Sequence, residues 1–155
     1  MMSARWTFFG SVVVLTNCST PHQEPRTLAT AEAARCGGET TTAASVLGPA
    51  NVERVEPLYG IVYSTPNGQE SRLLGAKLFL HAVNGVTTEA LTHALYCRAA
   101  NEVLHGGEVS PYWIPDGWLD ITVKYEGDSY VVHLEGHDVG EGNEILARAR
   151  AFLRK

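Results

Sequence analysis

This chain has no apolar run long enough to cross a bilayer. Its clearest one, Trp6 to Leu15, has about ten residues, half of the roughly 20 that a spanning helix needs. Positive charge is sparse as well. Twelve basic side chains stand against 17 acidic ones, for a net charge of −5, and they form no cluster. Nucleic-acid binding draws on concentrated positive charge, so a phosphate backbone is excluded as a partner. Electrostatic attachment to an anionic membrane is disfavoured for the same reason. The sequence also lacks a Gly-x-Ser-x-Gly elbow, a His-Glu-x-x-His helix and a glycine loop leading into a helix. Nothing in it points to catalysis. The chain is read as non-catalytic, with no cofactor.

The informative feature that is present lies at the amino terminus. Arg5 supplies one positive charge, and the Trp6–Leu15 run has the length of a signal-peptide core. It ends in Leu15-Thr16-Asn17-Cys18. That tetrapeptide resembles the lipobox of bacterial lipoproteins, although the family prefers Gly, Ala or Ser where this chain has Asn17. The resemblance implies a signal peptide over residues 1–17, cleavage before Cys18, and acylation of its sulfur and amino group. Several acyl chains would anchor the protein firmly, at about 0.8 kcal/mol per buried methylene. In the family's sorting rule, Asp after the cysteine retains the protein in the inner membrane. Ser19 stands there, which implies the outer membrane of a Gram-negative cell, with the body in the periplasm or at the surface. Two alternatives stay open. One is soluble secretion, for which Ser11-Val12-Val13 offers a poor cleavage site. The other is an uncleaved anchor.

A lipidated Cys18 leaves Cys36 and Cys97. In an oxidising compartment such a pair is a disulfide candidate. The bridge would close a loop of about 60 residues, worth roughly 4 kcal/mol in the chain-entropy account. The other reading is two free thiols, one on a loose segment and one packed in a helix.

Residues 18–50 are rich in Thr, Ala, Ser, Gly and Pro. They have few large apolar side chains to bury and read as a flexible tether, with at most a short helix over Thr27 to Arg35. The body is expected over residues 51–155, folding without that tether. Val52 to Ser64 reads as a strand interrupted near Pro57 and Gly60. Leu74 to Ala82 alternates as a half-buried strand. Thr87 is placed to cap a helix running to His105, with Arg98, Asn101, Glu102 and His105 on its solvent side. Trp118 to Gly136 reads as a hairpin turning at Gly127-Asp128, which pairs Tyr125 with Tyr130, Val123 with Val132 and Ile121 with Leu134. Asp138 and Glu141 resemble a capping box before a last helix that buries Ile145, Leu146, Ala149, Phe152 and Leu153. The order ββαββα predicts an α+β fold, a two-layer sandwich of a four-stranded antiparallel sheet with two helices on one face. The body also resembles short envelope lipoproteins of Gram-negative bacteria. The likeness rests on Gly75-Ala76-Lys77, Cys97 and Glu144-Ile145-Leu146-Ala147-Arg148-Ala149, and it implies no activity.

Candidate sites follow from this layout. Phe79 and Val131 should lie on the sheet face away from the helices, available to a partner. Tyr112, Trp113 and Ile114, between Pro111 and Pro115, form an aromatic loop that either contacts a partner or folds back on the core. His81, His133 and His137 make a weak candidate metal patch. His93 and Cys97, one helical turn apart, make another with His105 or Cys36. The function expected is a lipid-anchored envelope module for binding or assembly, with an envelope protein or glycan as partner. The alternative is a periplasmic protein that holds a metal or small molecule through its histidines.

Overall fold

A computed structural model describes residues 24–37, 41–65, 68–106, 110–112, 114 and 117–154. Cys18, the segment read as a signal peptide, and Trp113 lie outside the described residues. The elements are α1 (Pro25–Ala33), α2 (Thr41–Val46), β1 (Val52–Thr65), β2 (Gly68–His81), α3 (Thr88–His105), β3 (Asp120–Glu126), β4 (Ser129–Glu135) and α4 (Val139–Leu153). A single 3-10 turn over Pro49–Asn51 leads into β1.

The β3–β4 hairpin has the register expected from its alternation: Tyr125 opposite Tyr130, Val123 opposite Val132, Ile121 opposite Leu134. Gly127 takes φ = +68°, a conformation that glycine adopts without a Cβ penalty. The two hairpins join through antiparallel β2 and β4, giving the order β1-β2-β4-β3. The result is the expected α+β fold with a four-stranded antiparallel sheet. Pro57 does not interrupt β1, because an edge strand can spare one N–H. The local adjustment is a register shift between Leu58 and Tyr59.

Both long helices start where their caps predict. The Thr87 hydroxyl accepts the Ala90 N–H at 3.2 Å. The Asp138 carboxylate accepts the Glu141 N–H at 2.8 Å, and Glu141 Oε2 accepts the His137 N–H at 2.6 Å. The Glu141 amide is one that a helix start leaves open, while its carboxylate reaches one residue past the cap and ties the entering chain to the first turn. The core forms between these helices and the inner sheet face, from Leu78, Leu80, Val132 and Leu134 to Leu91, Leu95, Ile145 and Ala149. Leu153, expected inside, is exposed at the end of α4.

The segment expected to be a tether is corrected by the fold. From Pro25 onward its described residues form helices that pack on the outer side of α3 and add a third layer. Ala29, Ala43, Val46 and Leu47 are buried, and Cys36 is disulfide-bonded to Cys97. Small side chains let α1 and α2 approach α3 closely, so a stretch poor in large apolar residues still buries a face. The boundary at residue 50 therefore falls inside the folded unit.

Candidate functional site: a cleft between the outer helices and α3

Where α1 and α2 meet α3, they leave a cavity of about 590 Å³. Ala33, Ala44, Leu47, Ala94 and Leu104 supply apolar wall, and Arg98, Asn101, Glu102 and His105 supply polar groups from α3. The Cys36–Cys97 bridge forms part of the wall, with Cα atoms 5.6 Å apart. Helical spacing explains the constellation: positions 94, 97, 98, 101, 104 and 105 recur every three or four residues and share one side of α3.

The polar groups are held in place. Arg98 donates from Nε to Glu102 Oε1 at 3.1 Å and from Nη1 to the Leu47 carbonyl at 3.4 Å. Its guanidinium carbon lies 5.3 Å from the centre of the Tyr112 ring, within cation–π range. Glu102, expected in solvent, is only 9% exposed because the outer helices cover it. Its Oε2 atom and the Tyr112 hydroxyl are buried with no hydrogen-bond partner among the described residues. Burial pushes the Tyr112 phenol well above its ordinary range. An acceptor and a donor left unpaired beside one guanidinium cost stability, and both atoms are sealed from the cleft as well as from solvent. The cleft presents more polar than apolar surface, so at this volume it suits a small polar ligand better than an apolar one. Sequence reasoning missed it, since the cleft exists only because α1 and α2 fold onto α3.

The residues proposed as partner-binding are brought elsewhere. Phe79 is 8% exposed and Val131 only 2%. They are cross-strand neighbours, and the Arg54 guanidinium lies 3.4 Å above the Phe79 ring. Long side chains on this face thus shield its apolar members, and the expectation of an available Phe79–Val131 patch is corrected. Tyr112 and Ile114 are corrected likewise. Both are buried, with Tyr112 edge-on to Phe152 at 5.8 Å, so the described part of the loop folds back on the core.

The histidines do not converge. His81 Nδ1 lies 2.8 Å from Glu53 Oε1 on the sheet face. His133 stands opposite Lys77, four residues along β2 from His81, which is about 13 Å at the usual rise per residue. His137 precedes the cap of α4. His93 lies 3.8 Å from Cys97 Sγ, but that sulfur is bonded to Cys36 and is no thiolate ligand. Among the described residues no group of three or more His, Cys, Asp or Glu is placed to hold a metal ion.

His133 does carry a testable electrostatic signature. Burial first, then Lys124 and Lys77, hold its imidazole below the ordinary pKa. The unfolded chain then binds a proton that the folded chain resists, and stability falls as pH drops below about 6.5. Urea midpoints at pH 7 and pH 5 should therefore differ less in His133→Gln than in the parent. An unchanged difference would show that His133 does not set this slope.

No family model matches this chain, no curated protein is similar to it, and no solved structure matches its fold.

Proposed function

We propose that the protein is a non-catalytic, lipid-anchored binding module of the Gram-negative cell envelope, with its ligand centre in the cleft between α1, α2 and α3. The observation that carries this reading is the Cys36–Cys97 bridge in the cleft wall. Disulfides persist in oxidising compartments, which agrees with the lipobox-like Leu15-Thr16-Asn17-Cys18 and with export. The bridge also fixes the two walls relative to each other, which lowers the ordering cost of binding. The mixed lining suits a small polar ligand or the end of a peptide or glycan. Acylation of Cys18 would place the cleft close to the membrane, since only residues 19–23 separate that cysteine from Glu24.

One labelling experiment tests both halves. The parent protein, expressed in a Gram-negative host, should incorporate labelled fatty acid and capture a ligand from the solubilised envelope. Cys18→Ala should lose the label and accumulate precursor. Asn101→Trp, which fills the cleft from α3, should keep the label and lose the captured ligand. Normal labelling of Cys18→Ala overturns the anchor, and unchanged capture by Asn101→Trp overturns the cleft as the site.

A further inference from the structure

The first hairpin is twice as long as the second. β1 and β2 each have 14 residues, and β3 and β4 each have seven. Strand β4 pairs with β2 only over Gly75–His81, so residues 59–65 and 68–74 continue as a two-stranded arm past the end of β4. The base of the arm is covered by α4, whose Gly142 lies against the Leu73 and Leu74 backbone, and a two-stranded ribbon beyond such cover is marginal in water. This one also carries the two most exposed large apolar side chains described, Tyr59 at 59% and Ile61 at 64%. They are two residues apart and share a face, as do their partners across the hairpin, Leu73 and Ser71.

The outer edge of β1 has no strand beside it among the described residues. Proteins guard such edges with charge or proline. Here the guards stop halfway. Glu53, Arg54, Glu56 and Pro57 protect the half beside the sheet, whereas residues 58–65 contain no charged residue and no proline. An edge without charge or proline that exposes Tyr59 and Ile61 is a template for another strand.

We infer that the arm pairs with the arm of a second copy of this chain, β1 against β1 antiparallel about a two-fold axis at Gly60. The register selects the occupant. Centred on Gly60, Tyr59 of each copy stands opposite Ile61 of the other, giving two identical aromatic–β-branched cross-strand pairs. The axis falls on the one residue of this stretch without a side chain, and Leu74 already fills the space beside it. No like charges meet. The contact uses the same patch on both copies, as a two-fold interface requires, and joins the two sheets into one of eight strands. It goes beyond the proposed anchoring and does not depend on it, so Cys18→Ala should dimerise as the parent does.

The test is the mass of the full-length chain in non-denaturing detergent, by sedimentation, with cysteine pairs reporting the register. The parent is expected at twice the chain mass. Ile61→Asp is expected at the monomer mass with an unchanged melting temperature, since the side chain is exposed in one copy. Opposite Cα atoms in an antiparallel pair lie about 4.5–5.5 Å apart, within disulfide reach. Tyr59→Cys/Ile61→Cys should therefore give an oxidised dimer band, and Ile61→Cys alone should not. A monomeric parent overturns the pairing. So does a band from Ile61→Cys alone as strong as that of the double variant, or an arm that cross-links to a different chain.

Discussion

Replacing Cys36 and Cys97 together by serine is expected to destabilise the fold by about 4 kcal/mol. The bridge spans 61 residues of sequence, and opening a loop of that size restores roughly this much chain entropy to the unfolded state. For a domain of this size that corresponds to a fall in Tm of roughly 15 °C. The outer helices should suffer first. α1 buries little besides Ala29, and α2 contributes Ala43 and Val46, so their packing on α3 is thin without the covalent link. Thermal unfolding of the parent with and without a phosphine reductant, beside the double-serine variant, checks the figure. A Tm unmoved by reduction would mean that packing alone holds α1 and α2. The same argument reverses the expectation that residues from Asn51 fold alone. A chain starting there loses the bridge and exposes the apolar positions of α3 that α1 and α2 cover.

Gly75→Ala is expected to cost about 3 kcal/mol, at the upper end of overpacking penalties, whereas Gly60→Ala should cost under about 1 kcal/mol. Each glycine lies in a strand of the first hairpin, and a Cβ at either position meets an atom far inside contact distance. At Gly75 that atom is the Leu134 carbonyl oxygen, 2.0 Å away, part of the backbone of the neighbouring strand. It can yield only if β2 and β4 separate. At Gly60 the atom is Leu74 Cδ1, 2.3 Å away, at the end of a side chain that can change rotamer. Urea midpoints of the two variants decide the matter. Equal losses would mean that the β2–β4 spacing relaxes as readily as a leucine turns.

What the sequence made legible was whatever depends on local periodicity. Ile121, Val123, Val132 and Leu134 alternate around a glycine turn, so the hairpin register follows from the pleat alone. Thr87 and Asp138 mark helix starts because few residue types offer an oxygen to free amides. What stayed hidden depends on distant segments meeting. Ala29, Ala43 and Val46 look like tether composition, yet they bury once a covalent bond and a flat helix face hold them. Glu102 belongs to the solvent side of an isolated α3 and goes inside only under α1 and α2. Alternation placed Phe79 and Val131 on the correct side of the sheet. It is silent on whether neighbours such as Arg54 close over them. The cleft was invisible for the same reason, since one side of it, Ala33, Cys36, Ala44 and Leu47, comes from a segment with no periodic signal.

The Cys36–Cys97 bond also decides how the molecule bears tension. A pull on the chain ahead of Glu24 passes along α1 and, three residues beyond its end at Ala33, reaches a sulfur link to the middle of α3. The load therefore enters the body at α3 and bypasses the loop that the bridge closes, which holds α2 and both strands of the first hairpin. Hydrogen bonds of the sheet are not placed in series with the pulling point. A tug from the membrane side would peel α1 at most, and the strands would feel it only after the sulfur link had broken.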